Sequence, residues 1–305
     1  MLALDKELLA AVADLHEIPQ GAMNIRKNGQ LLTRNTTANI DIVTKKDKPG
    51  IDIIIKEGTK NESVHIPVLL TETGMQDMVY NDFFIGDNAE VLIVAGCGIH
   101  NGGDGESRHD GIHTFHIGKN AKVRYVEKHY GQGDGKGQRI FNPETIIEMA
   151  DGSYAEMEMV QIKGINSTLR TTKGTVGAGA RLILEERLLT HGEQYAETRM
   201  DVEVVGEDGS VQVISRTVAK DRSKQVFYPR VIGKNKCRAH LQCDSIIMDN
   251  AQVRSIPEID AQHPDAQLIH EAAIGKIAGE QIIKLMTLGL TEEEAEATIL
   301  QGFLK

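Results

Sequence analysis

A thiol between an amide and a carboxylate, Gln242-Cys243-Asp244, is followed about thirty residues later by an imidazole beside a carboxylate, His270-Glu271. A thiolate is a soft ligand suited to iron or to persulfide sulfur, and imidazole and carboxylate are the commonest remaining iron ligands. A chain that coils with a repeat near that length would bring the two segments side by side. A lone Cys in a strand is more often a small buried hydrophobe than a ligand, so spacing alone leaves both readings open.

Two further groups carry chemistry by residue type. Cys97-Gly98-Ile99-His100 precedes His109, His113 and His116, in and after a Gly-, Asn- and Asp-rich stretch from Gly96 to Gly111 that reads as a loop. Such a composition suits a metal-binding patch, and it equally suits ordinary exposed loop histidines. No recognised ligand spacing is present, and His113-x-x-His116 does not fit one strand face, where same-side residues fall at even offsets. Cys237 lies among Lys234, Lys236 and Arg238. A basic setting favours a reactive thiolate, but a solvated strand face with one buried Cys reads the same way. The chain has no C-x-x-C pair, no G-x-x-x-x-G-K-[ST] loop and no G-x-S-x-G elbow, so a self-contained zinc knuckle, nucleotide hydrolysis and an α/β-hydrolase site are excluded.

The composition narrows the class. The net charge of −10 over 305 residues disfavours a phosphate-backbone partner, so nucleic-acid binding is not expected. No apolar run is long enough to span a membrane. Met1–Leu15 carries Asp5, Glu7 and Asp14 without a basic segment, which argues against a signal peptide. Three sparse cysteines argue for a reducing cytoplasm and against a disulfide framework. The absence of Trp, with abundant Gly and β-branched residues, suits an interior stacked from small branched side chains.

The elements that must position these groups are legible from periodicity. Leu4, Leu8, Val12 and Leu15 have helical spacing, with Pro19-Gln20-Gly21 as the stop. From Ala38 the period becomes two. Ile85-Gly86-Asp87-Asn88-Ala89-Glu90-Val91 recurs as Ile117-Gly118-Lys119-Asn120-Ala121-Lys122-Val123, with weaker copies at Ala150, Val176, Val205, Ile232 and Ile247. The steps are mostly near thirty residues, with a shorter one at the end. Turn, short strand and a long repeat describe a solenoid of several strands per coil; the alternative is an antiparallel sandwich with Gly/Asn turns. After Pro257, the spacing of Ala266, Ile269, Ala273 and Ile277, then Ile282, Leu285 and Met286, predicts helix, and Thr291 with Glu294 forms a capping box for a second one. The expected organisation is an N-terminal helical segment (1–37), a right-handed parallel β-helix core (38–260) and a C-terminal helical region (261–305).

The stretch Gln242–Phe303 resembles the C-terminal part of the SufB/SufD family. The matching pieces are Gln242-Cys243-Asp244-Ser245, Ala266-Gln267-Leu268-Ile269-His270-Glu271-Ala272, Gly275-Lys276-Ile277, Glu280-Gln281-Ile282, Leu288-Gly289-Leu290-Thr291-Glu292-Glu293-Glu294-Ala295 and Gly302-Phe303, in order and at matching spacing. The repeat from Ile85 onward is similar to that family's β-helix.

This resemblance implies a scaffold of the SUF iron–sulfur cluster assembly system rather than an enzyme. It implies a partner ATPase of the ABC type, SufC, bound by the C-terminal helical region, and a dimer with itself or with a SufB or SufD paralogue. Apo iron–sulfur acceptor proteins would be the final recipients. Carried over by position, Cys243 and Glu271 would hold a transient cluster at the subunit interface, with His270 in the role of the SufD-type histidine, and Cys97, followed by Arg124-Tyr125, would accept sulfur. Ile269 stands where SufB often has an acid, and the long N-terminal region of SufB is lacking, so no flavin is expected. Two other readings are a SufD-like structural partner without its own cluster, and a carbohydrate-active β-helix enzyme using Asp201, Glu203 or Glu207.

Overall fold

Alternation of apolar and polar residues builds the body of the protein. In the strand Arg181–Thr190, Leu182, Leu184, Glu186, Leu188 and Thr190 point inward and their neighbours outward, as the two-residue pleat requires. The computed structural model describes residues 2–15 and 21–304. It is a parallel β-solenoid flanked by one N-terminal and two C-terminal helices. The coils stack into two sheets of ten and eleven strands that share one interior. Each full coil gives one strand of about ten residues to each sheet, longer and fewer than the several short strands expected.

The sequence repeat is the turn that carries the chain from one sheet to the other. Asn88, Asn120 and Asp208 take φ of 58°, 54° and 56° there, and Gly152 and Gly179 take 68° and 60°. Asn, Asp and Gly adopt this left-handed conformation at least cost. Equivalent turns bond to one another: Asn88 N–H donates to Lys119 O (2.8 Å) and Asp208 N–H to Lys236 O (2.7 Å). The shorter final step also has its explanation. Asp249 (φ 54°) belongs to the opposite set of turns, with Asp221 (φ 59°) and Gly192 (φ 60°), half a coil away.

Strand structure starts earlier than the sequence suggested. After α1 (Ala3–Ala13), Ala22–Lys27 and Gln30–Asn35 already form an antiparallel hairpin, and Ile40–Thr44 pairs antiparallel with Gly50–Ile55. The two hairpins sit at one end of the stack. The expected helix stop at Pro19-Gln20 lies outside the described residues. Helix α1 lies on the outer surface of the Glu90–His100 strand, burying Leu8, Leu9 and Val12. Gly96 permits this approach, since a Cβ there would stand 2.2 Å from the Val12 carbonyl oxygen.

At the other end, the helix expected from Ala266 to Ile277 is instead a strand, Gln267–Gly275, the last of the ten-stranded sheet. It pairs in parallel with Arg238–Ile246. Ala266, Ile269 and Ala273 are as compatible with strand as with helix, and the neighbouring edge decides between them. Helix α2 (Gly279–Met286) and helix α3 (Glu292–Phe303) follow, and α3 opens with the expected Thr291–Glu294 capping box.

Candidate functional site

Pairing in register decides which candidates share a face. Cys243 is 2% exposed and stands in register with Ser215 on one side and Ala272 on the other. His270 is in register with Leu241 and, at an even offset from Ala272, points to the same inner face. Strand spacing and rise put the Cys243 and His270 Cα atoms about 8 Å apart. The Nε2 of His270 is buried and has no hydrogen-bond partner among the described residues. Glu271 is in register with Gln242 and leaves the sheet on the outer side, where its Oε1 pairs with His240 Nε2 at 3.0 Å. The three residues thus divide into an inward thiol and imidazole and an outward carboxylate.

Cys243 lines a small enclosed cavity with Glu186, Thr198, Ser215, Gln225 and Ser255. Burial pushes its thiol pKa up to about 11, partly offset by the Ser255 hydroxyl. The thiolate therefore needs a cation to form at neutral pH.

From this cavity a polar lane runs along the solenoid interior toward Cys97. Glu186 accepts hydrogen bonds from Thr198 Oγ1 (2.6 Å) and Ser215 Oγ (3.1 Å). Arg170, 3% exposed, lies 3.9 Å from Glu186 and donates to Glu127 at 2.7 Å and to His129 Nδ1 at 3.2 Å. Tyr125 donates its hydroxyl proton to Glu127 (3.1 Å) and contacts His113 Nδ1 at 2.7 Å. Cys97 is in register with His129. His109 Nε2, Thr145 Oγ1, Gln161 Oε1, Thr172 Oγ1 and Gln225 Oε1, on the same inner faces, are buried without partners among the described residues. Buried polar atoms of this kind are ordinarily satisfied by water.

Charges inside the lane are set by one another. Burial works to raise the pKa of Glu127, but His129, Arg170 and His113 together hold it well below the usual carboxylate range. Burial lowers His113 to about 4 against the opposing pull of Glu127, so this imidazole is neutral at pH 7. Cys97, 6% exposed, is pushed well up by burial and by Glu127 and Asp77.

The histidine group is not a loop. His109, His113 and His116 lie on the strand Ser107–Ile117. His109 and His113 point inward, where His109 Nδ1 meets Asp77 at 3.0 Å. His116 points outward onto Glu148 (2.7 Å), as its odd offset requires. His100 ends the preceding strand. Among the described residues no group of three or more His, Cys, Asp or Glu is placed to hold a metal ion.

The basic surroundings of Cys237 do not activate it. Lys234 pairs with Glu203 (2.6 Å) and Lys236 with Asp208 (3.0 Å), while burial raises the thiol pKa. The carboxylates offered for glycan chemistry are occupied as well: Asp201 holds Arg230 at 2.5 Å and Glu203 holds Lys234.

Sequence reasoning missed Arg170, Glu127 and Glu186. Their signal was present as charged residues at positions the strand alternation assigns to the inside.

The chain is thus a solenoid with a polar interior that links two thiols and a last strand whose outer edge has no partner among the described residues. The chain belongs to the SUF system FeS cluster assembly family: the SufBD core domain profile matches residues 71–303. It is 28% identical to the iron-sulfur cluster assembly SufBD family protein of Archaeoglobus fulgidus, over 79% of this chain and 65% of that one. It is 28% identical to the SufBD family protein MJ0034 of Methanocaldococcus jannaschii, over 83% and 79% respectively. A Methanothermobacter thermautotrophicus homologue is 27% identical over 78% of this chain, which spans 57% of that protein's length. Among the described residues no helix is long and apolar enough to cross a membrane.

Proposed function

We propose that the chain holds a nascent iron–sulfur cluster, as cargo, where its terminal strand meets a second SufB/SufD-type solenoid. The observation that carries this reading is the open edge of Gln267–Gly275, beside the strand of Cys243 and bearing His270. Its side chains are largely exposed, with Ile269 60% and Ile274 45% accessible. An unpaired edge of this length is a template for another strand. A two-fold pairing would be isologous and antiparallel across the edges, bringing the inward Cys243 and His270 of both subunits toward one face of the joint and Glu271 of both toward the other. Few ligands per chain suit a cluster that must be passed on to apo acceptor proteins.

Cys97 would be the sulfur acceptor, at the far end of the polar lane from Cys243. The ABC ATPase SufC would dock on the C-terminal hairpin, where Ile283 (62%), Met286 (43%) and Leu288 (76%) leave an apolar face uncovered. The three free thiols suit a reducing cytoplasm. A SufD-like role without a cluster is favoured by one observation, the deep burial of Cys243.

Anaerobic reconstitution with ferrous iron and sulfide tests the reading. The wild type should develop cluster absorbance and bind both elements, and Cys243→Ala should lose both. Normal iron and sulfide in the variant would remove Cys243 as a ligand, and no cluster in the wild type would favour the SufD-like role.

A further inference from the structure

The outer face of the ten-stranded sheet carries a groove of about 460 Å3 whose polar lining is Arg181, Ser210, Gln212, Arg238, His240 and Gln267. Each of these side chains can donate a hydrogen bond and none is a carboxylate, in a chain of net charge −10. Arg181, Ser210, Arg238 and Gln267 form one register row across four adjacent strands. Strand spacing sets the two arginine Cα atoms roughly 10 Å apart, with the Ser210 hydroxyl between them.

Neither Arg181 nor Arg238 makes an ion pair or a side-chain hydrogen bond among the described residues. Of the other outer-surface arginines, Arg187 holds Glu158, Arg199 holds Glu197 and Arg230 holds Asp201, while Arg216 and Arg254 are unpaired among the described residues but lie outside this groove. The nearest acid on the last strand, Glu271, is occupied by His240. Two guanidinium groups thus face one groove with no counter-charge, and their planar forks match phosphate and carboxylate oxygens.

We propose that this groove binds a small polyanion bearing phosphate or carboxylate groups, bridged between Arg181 and Arg238, with Ser210 and Gln267 supplying further donors. The volume suits a small ligand. Beyond Arg181 the same face turns acidic, with Glu156 and Glu158 around Arg124, which opposes an extended acidic peptide. The site is separate from Cys243 and His270, which face the interior, and does not rest on the cluster reading.

Calorimetric titration of the intact chain at low salt with tripolyphosphate, citrate and acetate tests it. A polyanion should bind, acetate at least tenfold more weakly, and added salt should weaken the interaction. Tighter binding of tripolyphosphate would assign phosphate chemistry, and tighter binding of citrate would assign carboxylate chemistry. Arg181→Gln with Arg238→Gln should weaken binding at least tenfold with an unchanged circular dichroism spectrum, whereas Cys243→Ala should bind as the wild type. No binding of either polyanion, or undiminished binding in the double variant, would overturn the proposal.

Discussion

Glu271 stands in register with Gln242, one residue before Cys243, and so leaves the sheet on the face opposite the thiol. In a single chain the two cannot ligate one iron without local twisting of the last strand. Cys243→Ala and His270→Ala should therefore each lower reconstituted cluster content of the isolated chain severalfold. Glu271→Gln should retain more than half. Iron and sulfide analysis of the three variants decides this, and equal loss in all of them would show that Glu271 also reaches the cluster.

Arg170 is buried between Glu127 and Glu186. Removing the cation leaves two buried carboxylates uncompensated, so Arg170→Met should cost about 3–5 kcal/mol. Urea unfolding measures it. A loss below about 1 kcal/mol would mean that water screens the lane far better than its burial implies.

Acid should weaken the fold in two stages. His113 titrates near 4 when folded, below the unfolded value of about 6.5. As pH falls through this window the unfolded chain takes up a proton that the folded chain refuses. The stabilisation is full above about 6.5 and declines by about 3 kcal/mol toward pH 4. Glu127, held low, adds stability present above about 4.3 and lost below it. His113→Gln should flatten the slope between pH 6.5 and 4; an unchanged slope in denaturant midpoints would assign it to other groups.

The C-terminal hairpin is lightly attached. No residue of α2 is buried, only Ala295 and Leu300 of α3 are, and Lys220–Glu296 at 2.9 Å ties it to the solenoid. Deleting 279–305 should abolish SufC co-purification and leave the thermal transition of the body within a few degrees. Retained co-purification would move the ATPase surface elsewhere.

The N-terminal helix depends on missing side chains beneath it. Gly96→Ala places a Cβ against Val12 O, so α1 should detach. Faster proteolysis within residues 1–15 than in the wild type, with the solenoid intact, would report it.

Much of this was readable beforehand where the signal is local. Left-handed turn residues such as Asn88 and Asn120 and the two-residue alternation between them are properties of short segments, and they specify coils and their length. The Thr291–Glu294 cap is equally local. The last strand was not readable, because Ala266, Ile269 and Ala273 satisfy both helical and strand periods, and only the free edge of Arg238–Ile246 selects strand.

The sequence by itself determined the repeat, the turn chemistry and the family, since each resides in residue types at short spacing. Tertiary structure alone decided that Cys243 and His270 look inward while Glu271 looks out, and that Arg170, Glu127 and Glu186 meet inside. Those relations depend on the register between strands far apart in the chain, where a shift of a single residue would exchange the two faces.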